Sequence, residues 1–527
     1  MDRRHVLKMG LTAGAAGVVG SVLPLPMMRE ALAANPGFPS YKATVCILLH
    51  GGNDALNMLV PTSATAGSGY GTYQALRSGA GLAVNNVDLN LPVTFPTGGV
   101  LASGAGSPYY AAANASGSTL HNCYRKGVYD LSTSKGIPLG VNGLMPELAR
   151  LITDNKASII ANVGTLVEPI TRNEYLNNLK RKPLFLYAHN HQRRAIETGI
   201  GDNLSAEGWA GRIADDWGNV NANPNFGLNY SYAGGGRLQM GALTAPMQLR
   251  NGAPTAFKGL DITKTSDVNR RAAFKALISQ ATDPFKSLYS RMLNDSMGAV
   301  DQLRANWPAT SSFAAVTNAY GAPLFSLPNL TTTGLGVHIS NNLIPQMESV
   351  AEMINIGRNT LGLKRQFFVV QLGGFDTHAD QVSKHPLLLR ELSTALYDFQ
   401  MAMESLGIAN EVTSFTVSDF GRTSTVNNNG TDHAWGSNQL VIGGDGTALS
   451  PLIGGGTMMG TLPNLTPGGI DDASTKGRMI PTIATDQYAA SIARWFGVDD
   501  ALMPNVFPNL ANFGTLGATG TAYLPII

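Results

Sequence analysis

Three of the mainly apolar, β-rich runs along this chain are short and end in the same way. Val45–Leu49 passes into His50-Gly51-Gly52-Asn53-Asp54, and Phe367–Leu372 into Gly373-Gly374-Phe375-Asp376-Thr377-His378-Ala379-Asp380. Val412–Val417 passes into Ser418-Asp419-Phe420-Gly421-Arg422. Rich in β-branched and aromatic residues and bounded by glycine, each run reads as a buried strand. A carboxylate just past the C-terminal end of a buried parallel strand stands where open α/β sheets place their ligands.

Helical spacing alternates with these strands. Leu343, Met347, Val350 and Ile354 recur on one face, as do Leu388, Leu392, Ala395, Phe399 and Met403. Met145-Pro146 opens another helix, since proline suits a first turn. Thr485 to Gly497 reads as a helix ending on glycine. Ser158–Val163 is predicted as a second strand after the first crossover, and Leu440–Ile442 as a further strand. The alternation predicts an α/β fold with a mostly parallel central sheet flanked by helices. Stretches at about 63–140 and 221–334 lack a sustained period and read as two irregular insertions, the second with a helical segment at Val268–Leu303. Residues 34–527 are thus expected to form one domain.

The N-terminus changes the picture. Arg3-Arg4 precede a mild apolar run from Met9 to Leu25, and Ala31-Leu32-Ala33 offers small residues for cleavage. Residues 1–33 therefore read as a twin-arginine signal peptide, with the export machinery as partner and a periplasmic or secreted destination. An amphipathic N-terminal helix is the alternative. No other run approaches the twenty or so apolar residues of a spanning helix, so no stable span is expected after signal removal. The chain carries 37 Lys+Arg against 35 Asp+Glu. Residues 1–33 hold four of the first and two of the second, leaving 33 against 33, so no basic field for nucleic acid exists. Of two cysteines, Cys46 falls inside a predicted strand and reads as a buried thiol; a bridge to Cys123 stays open.

Candidate chemistry gathers at the strand ends. Asp376, His378 and Asp380 alternate, so an extended segment turns all three to one side. Carboxylates with imidazoles suit Zn, Mn or Fe, and carboxylates alone suit Mg or Ca. A glycine turn capped by Asp376 is the plainer reading. Asp432-His433 closes an Asn/Gly loop that either folds the imidazole back over the sheet edge or is an Asn-Gly hairpin with a solvated His. Arg422 either clamps an anion or neutralises Asp419. Thr171 is the best-placed hydroxyl for a nucleophile, though a helix N-cap ahead of Asn173-Glu174 is the plainer reading. No G-x-S-x-G elbow, phosphate-binding P-loop or His-Glu-x-x-His occurs, and Gly234-Gly235-Gly236-Arg237 follows no clear strand.

Taken together, Leu49-His50-Gly51-Gly52-Asn53-Asp54, Gly374-Phe375-Asp376-Thr377-His378, Ser418-Asp419-Phe420-Gly421-Arg422-Thr423, Gly430-Thr431-Asp432-His433-Ala434-Trp435-Gly436 and Phe507-Pro508-Asn509-Leu510 resemble the domain-of-unknown-function family DUF1501. The resemblance implies an alkaline phosphatase-like fold and a metal-dependent hydrolase of phosphate- or sulfate-type esters with an anionic small-molecule substrate. It also implies the roles. Asp54, Asp376, His378, Asp419 and His433 would hold a divalent metal (Zn, Mn, Mg or Ca), Thr171 would attack, and Arg422 would hold the substrate. Phe420 stands where that superfamily carries a ligand His. The departure keeps a second reading in view, a non-catalytic relative acting in envelope assembly or secretion of a partner protein.

Overall fold

Side-chain alternation along each buried strand decides how the layers stack. In the computed structural model, which describes residues 36–91, 124–279, 284–319, 321–326, 342–447, 455–517 and 519–525, twelve strands are formed. They are β1 (Lys42–His50), β2 (Leu59–Pro61), β3 (Val128–Asp130), β4 (Leu139–Asn142), β5 (Ala157–Gly164) and β6 (Asn229–Ser231). The rest are β7 (Met247–Gln248), β8 (Arg365–Gly373), β9 (Val412–Ser418), β10 (Ser437–Gly443), β11 (Met458–Met459) and β12 (Ile483–Ala484). The principal helices are α1 (Tyr70–Arg77), α2 (Pro146–Thr153), α3 (Arg172–Leu176), α4 (His189–Thr198) and α5 (Trp209–Trp217). They continue with α6 (Thr265–Ser279), α7 (Pro284–Asn306), α8 (Ile344–Asn359), α9 (Gln381–Ser405) and α10 (Thr485–Phe496). The proposed signal and Cys123 lie outside the described residues.

Val45, Ile47 and Leu49 of β1, with Phe368, Val370 and Leu372 of β8, face a core shared with α2, α8 and α9. Cys46, Leu48, Phe367, Val369, Phe415 and Val417 face the opposite core, built on α5 and α10. Each fully buried Val, Leu, Ile or Phe contributes about 1.5–3 kcal/mol, so a one-residue slip of β1 would exchange the two faces and forfeit both cores. Cys46 is a free buried thiol whose pKa burial pushes well up.

The main sheet runs β11-β5-β10-β9-β1-β8-β6-β7, with β12 also on β5. Six of its eight pairings are parallel, and only β10 runs against its neighbours β5 and β9. The mostly parallel, helix-flanked α/β architecture is therefore present. Leu49 is level with Leu372 on one side and Ser418 on the other, so the loops after β1, β8 and β9 leave the sheet side by side.

Ser158–Val163 forms the expected strand, within β5, and β9 and β10 lie between it and β1. Two sequence expectations need correction. The stretch 63–140 contains α1 and part of a three-stranded antiparallel sheet, β2-β4-β3, so its glycine-rich composition hides regular structure. The stretch 221–334 is not purely an insertion either: β6 and β7 join the main sheet through β8. Within it the single helical segment resolves into α6 and α7. No helix among the described residues is long and apolar enough to cross a membrane.

Candidate metal centre

Glycine makes the meeting of the three strand-end loops possible. Gly51 has φ +111°, and a Cβ there would fall 2.3 Å from the Asp376 amide nitrogen. A Cβ on Gly52, φ +81°, would fall 2.5 Å from the Phe420 ring. The β1 and β8 loops thus touch backbone to backbone, a contact only glycine permits. Arg422 then ties the loops together. Its Nε donates to Gly52 O at 2.9 Å and its Nη1 to Thr431 O at 2.9 Å. Its Nη2 donates to Gly51 O, to Phe375 O at 3.0 Å and to Asp376 Oδ1 at 2.5 Å.

Around that same Asp376 oxygen three imidazoles converge. His378 Nε2 stands 3.1 Å away, His433 Nε2 3.3 Å and His189 Nε2 3.5 Å. His433 Nε2 and His378 Nε2 are 2.7 Å apart. Every one of the three rings is held from behind through Nδ1. His189 Nδ1 donates to Asp419 Oδ2 at 2.9 Å, His433 Nδ1 to the Tyr187 carbonyl at 2.8 Å, and His378 Nδ1 to Asp432 Oδ1 at 3.2 Å. A proton fixed on Nδ1 leaves the Nε2 lone pair facing inward, the arrangement that orients imidazole for a metal. His50 Nδ1 adds a weaker contact to Asp419 Oδ1 at 3.5 Å, and Gly51 N donates to Oδ2 at 3.0 Å. The buried Nε2 atoms of both His50 and His189 have no hydrogen-bond partner.

Electrostatics agrees with the geometry. Burial works against an ionised Asp376, but Arg422 outweighs it and holds the carboxyl at about 2. Asp419 lies well below the carboxylate range: burial opposes, and donors from His189, His50 and Gly51 prevail. The bond to Asp419 raises His189 against the effect of burial, whereas burial lowers His433. An ionised carboxylate therefore faces the imidazoles. His189, Asp376 and His433 have ligand atoms that all lie within 4.8 Å of each other. Mixed imidazole and carboxylate donors suit zinc, manganese or iron better than magnesium or calcium. Phe420, its ring centroid 4.6 Å from that of His189 and 4.5 Å from that of His433, walls the inner side. Asp376 and His378 are open to solvent, and His378 also borders a depression of about 470 Å³ with Asn427, Asn428 and Asn429.

The predicted site residues do not all meet. Asp376, His378 and His433 do, and Asp419 stands one step behind as the carboxylate under His189. Asp54 does not join them. It is buried, both its oxygens face Arg77, and Gln381 donates to one of them. Thr171 caps α3: its hydroxyl bonds Glu174 Oε2 at 2.8 Å and accepts from the Glu174 amide. The helix-cap reading therefore describes Thr171, and its hydroxyl is committed there. Arg422 is a buried tie rather than a free clamp, since all three guanidinium nitrogens are bonded within the loops. Asp380 occupies the N-cap position of α9 and accepts from Asn429 Nδ2 at 3.4 Å.

His50 and His189 were missed as site residues. The first sits at a strand end where a ligand was sought in Asp54 instead. The second opens α4, far along the chain in a polar stretch with no periodic signal.

Residues 339–484 match the model of a family described as protein of unknown function (DUF1501). Asp376, His378, Asp419, Arg422 and His433 fall inside the match, whereas His50, Asp54 and His189 lie outside it. No curated protein matches the chain.

Proposed function

We propose that this protein is an exported, metal-dependent hydrolase of phosphate- or sulfate-type esters. The observation that carries the reading is the set of three imidazoles, each anchored through Nδ1, whose Nε2 atoms surround Asp376 Oδ1. His189, Asp376 and His433 would hold a transition metal such as zinc. Bound there, the ion supplies Lewis-acid polarisation of an ester oxygen. The chain supplies the rest. His378, outermost and backed by Asp432, is placed to carry a proton on Nε2 to a leaving group or from an attacking water. Phe420 keeps water from the inner side of the imidazoles, and Arg422 fixes the orientation of Asp376. Export rests on Arg3-Arg4 and the mild apolar run behind them.

Metal content of the purified protein, with screening of phosphomonoesters, phosphodiesters and sulfate esters, tests the reading. About one equivalent of metal, lost in Asp376→Ala and His433→Ala, is expected. His378→Ala is expected to keep the metal and lower kcat by roughly 10²–10⁴. Metal content that both ligand substitutions leave unchanged would overturn the proposal.

One observation favours a second reading, a non-catalytic relative in envelope assembly or partner secretion. The hydroxyl of Thr171 and the guanidinium of Arg422, the groups expected to do chemistry, are committed to structural bonds. A stable co-purifying partner together with no turnover of any ester would select it.

A further inference from the structure

Helix α4 begins at His189 in the imidazole cluster and runs away from it along an open groove of about 800 Å³. Arg193 and Arg194 line the groove from the helix, and Arg237, next to Gly235 and Gly236, lines it from the loop opposite. Glu197 is the one acid on the wall, so three guanidinium charges against one carboxylate leave +2. The whole chain is only +2 over 527 residues, so this charge is a local concentration.

The groove's parts are arranged for an anion. Arg193 Nε donates to Glu197 Oε1 at 3.0 Å, which fixes its guanidinium plane. A Cβ on Gly236 would stand 3.2 Å from Glu197 Oε1 and 3.6 Å from Arg193 Nη2, so the glycine keeps this wall clear. Arg237 spends one donor, Nη1 on Ala206 O at 3.2 Å. Arg194 is exposed and has no hydrogen-bond or ion-pair partner among the described residues. Paired N–H donors of this kind match phosphate oxygens geometrically. A phosphate group with a charge of about −1.5 to −2 also balances the groove's surplus, which a singly charged sulfate does not.

We propose that this groove binds a second phosphate of the substrate, so that the favoured esters carry two phosphates rather than one. The substrate role rests on the hydrolase reading above; phosphate binding by the groove does not. Arg193 follows His189 by four residues, on the same face of α4. At 1.5 Å of rise per residue, the second phosphate sits roughly 6–8 Å along the helix from the imidazole cluster.

Calorimetric titration of the whole protein with inorganic tripolyphosphate, in chelator so that no metal contributes, tests this. Wild type is expected to bind, and the Arg194→Ala/Arg237→Ala double variant to bind at least about tenfold more weakly. Its melting temperature should stay near that of wild type, because, among the described residues, the Arg194 side chain makes no bond to the fold and that of Arg237 only the long one to Ala206 O. His433→Ala is expected to bind tripolyphosphate as wild type does. Binding within twofold of wild type in the double variant, or abolished by His433→Ala alone, would overturn the groove assignment, as would no binding by wild type. Tripolyphosphate bound by a protein that takes up no metal would sustain the groove and sink the hydrolase; metal uptake without tripolyphosphate binding would do the reverse.

Discussion

Asp419→Asn tests the cluster through a residue that would not touch the metal. In the native site one Asp419 oxygen receives His189 Nδ1 and the Gly51 amide, and the other faces His50 Nδ1. An asparagine whose carbonyl replaces the first oxygen keeps both of those bonds at nearly unchanged shape. Its amide nitrogen then faces His50 Nδ1, which must accept rather than donate, so the His50 proton moves to Nε2. Two effects follow. His189 loses the negative charge that sharpens its Nε2 lone pair, and His50 turns a donor toward its surroundings. Loss of such a supporting carboxylate typically weakens metal binding by about 10–100-fold, or roughly 1.4–2.8 kcal/mol. Competition against a chromophoric zinc chelator measures the affinity, and a thermal melt of the metal-free protein checks folding. Asp419→Ala should do worse, because three buried donors lose their acceptor at about 1–3 kcal/mol each. The reasoning fails if Asp419→Asn binds zinc within twofold of wild type while His433→Ala does not.

Three further outcomes are expected. Arg422→Lys should destabilise the protein by about 3–5 kcal/mol in denaturant titrations, because an ammonium cannot reach the four carbonyls and one carboxylate that Arg422 serves; a change under 1 kcal/mol would count against its role as the tie. Thr171→Ala should cost about 1 kcal/mol of stability by loss of the α3 cap and leave kcat near wild type, whereas a thousandfold fall in kcat would make Thr171 the nucleophile after all. Asp398, buried and bonded by the Phe325 amide at 2.7 Å, has its carboxyl pushed up to about 8, chiefly by burial. Since the folded value lies above the unfolded one near 3.9, its stabilising effect is complete below about pH 4 and is lost as pH rises through 8, by at most about 1.4 kcal/mol per pH unit. Asp398→Asn should flatten that slope between pH 5 and 8, and unfolding curves at several pH values that keep the wild-type slope would refute the assignment.

Local pattern was enough to determine the strands that carry the site. An unbroken apolar run such as Val45–Leu49 reads as buried on both faces, and Gly51-Gly52 and Gly373-Gly374 mark where the strands turn. The helices with the strongest periodicity were equally legible, because a stripe on one face reflects a neighbour that any sheet supplies. Asp376, His378 and His433 were legible because each is tied by a few residues to such a landmark. Three things were decided only by the tertiary structure. Asp54 has the same strand-end position as Asp376, yet Arg77, twenty-three residues on, draws it into the interior. His189 enters the site because α4 packs beside the loop after β9, a contact between segments 230 residues apart. The reversal of β10, and with it the separation of β5 from β1, comes from pairings that no local period records. Local sequence fixes which faces must be buried, but which distant side chain meets a carboxylate is settled when whole layers pack.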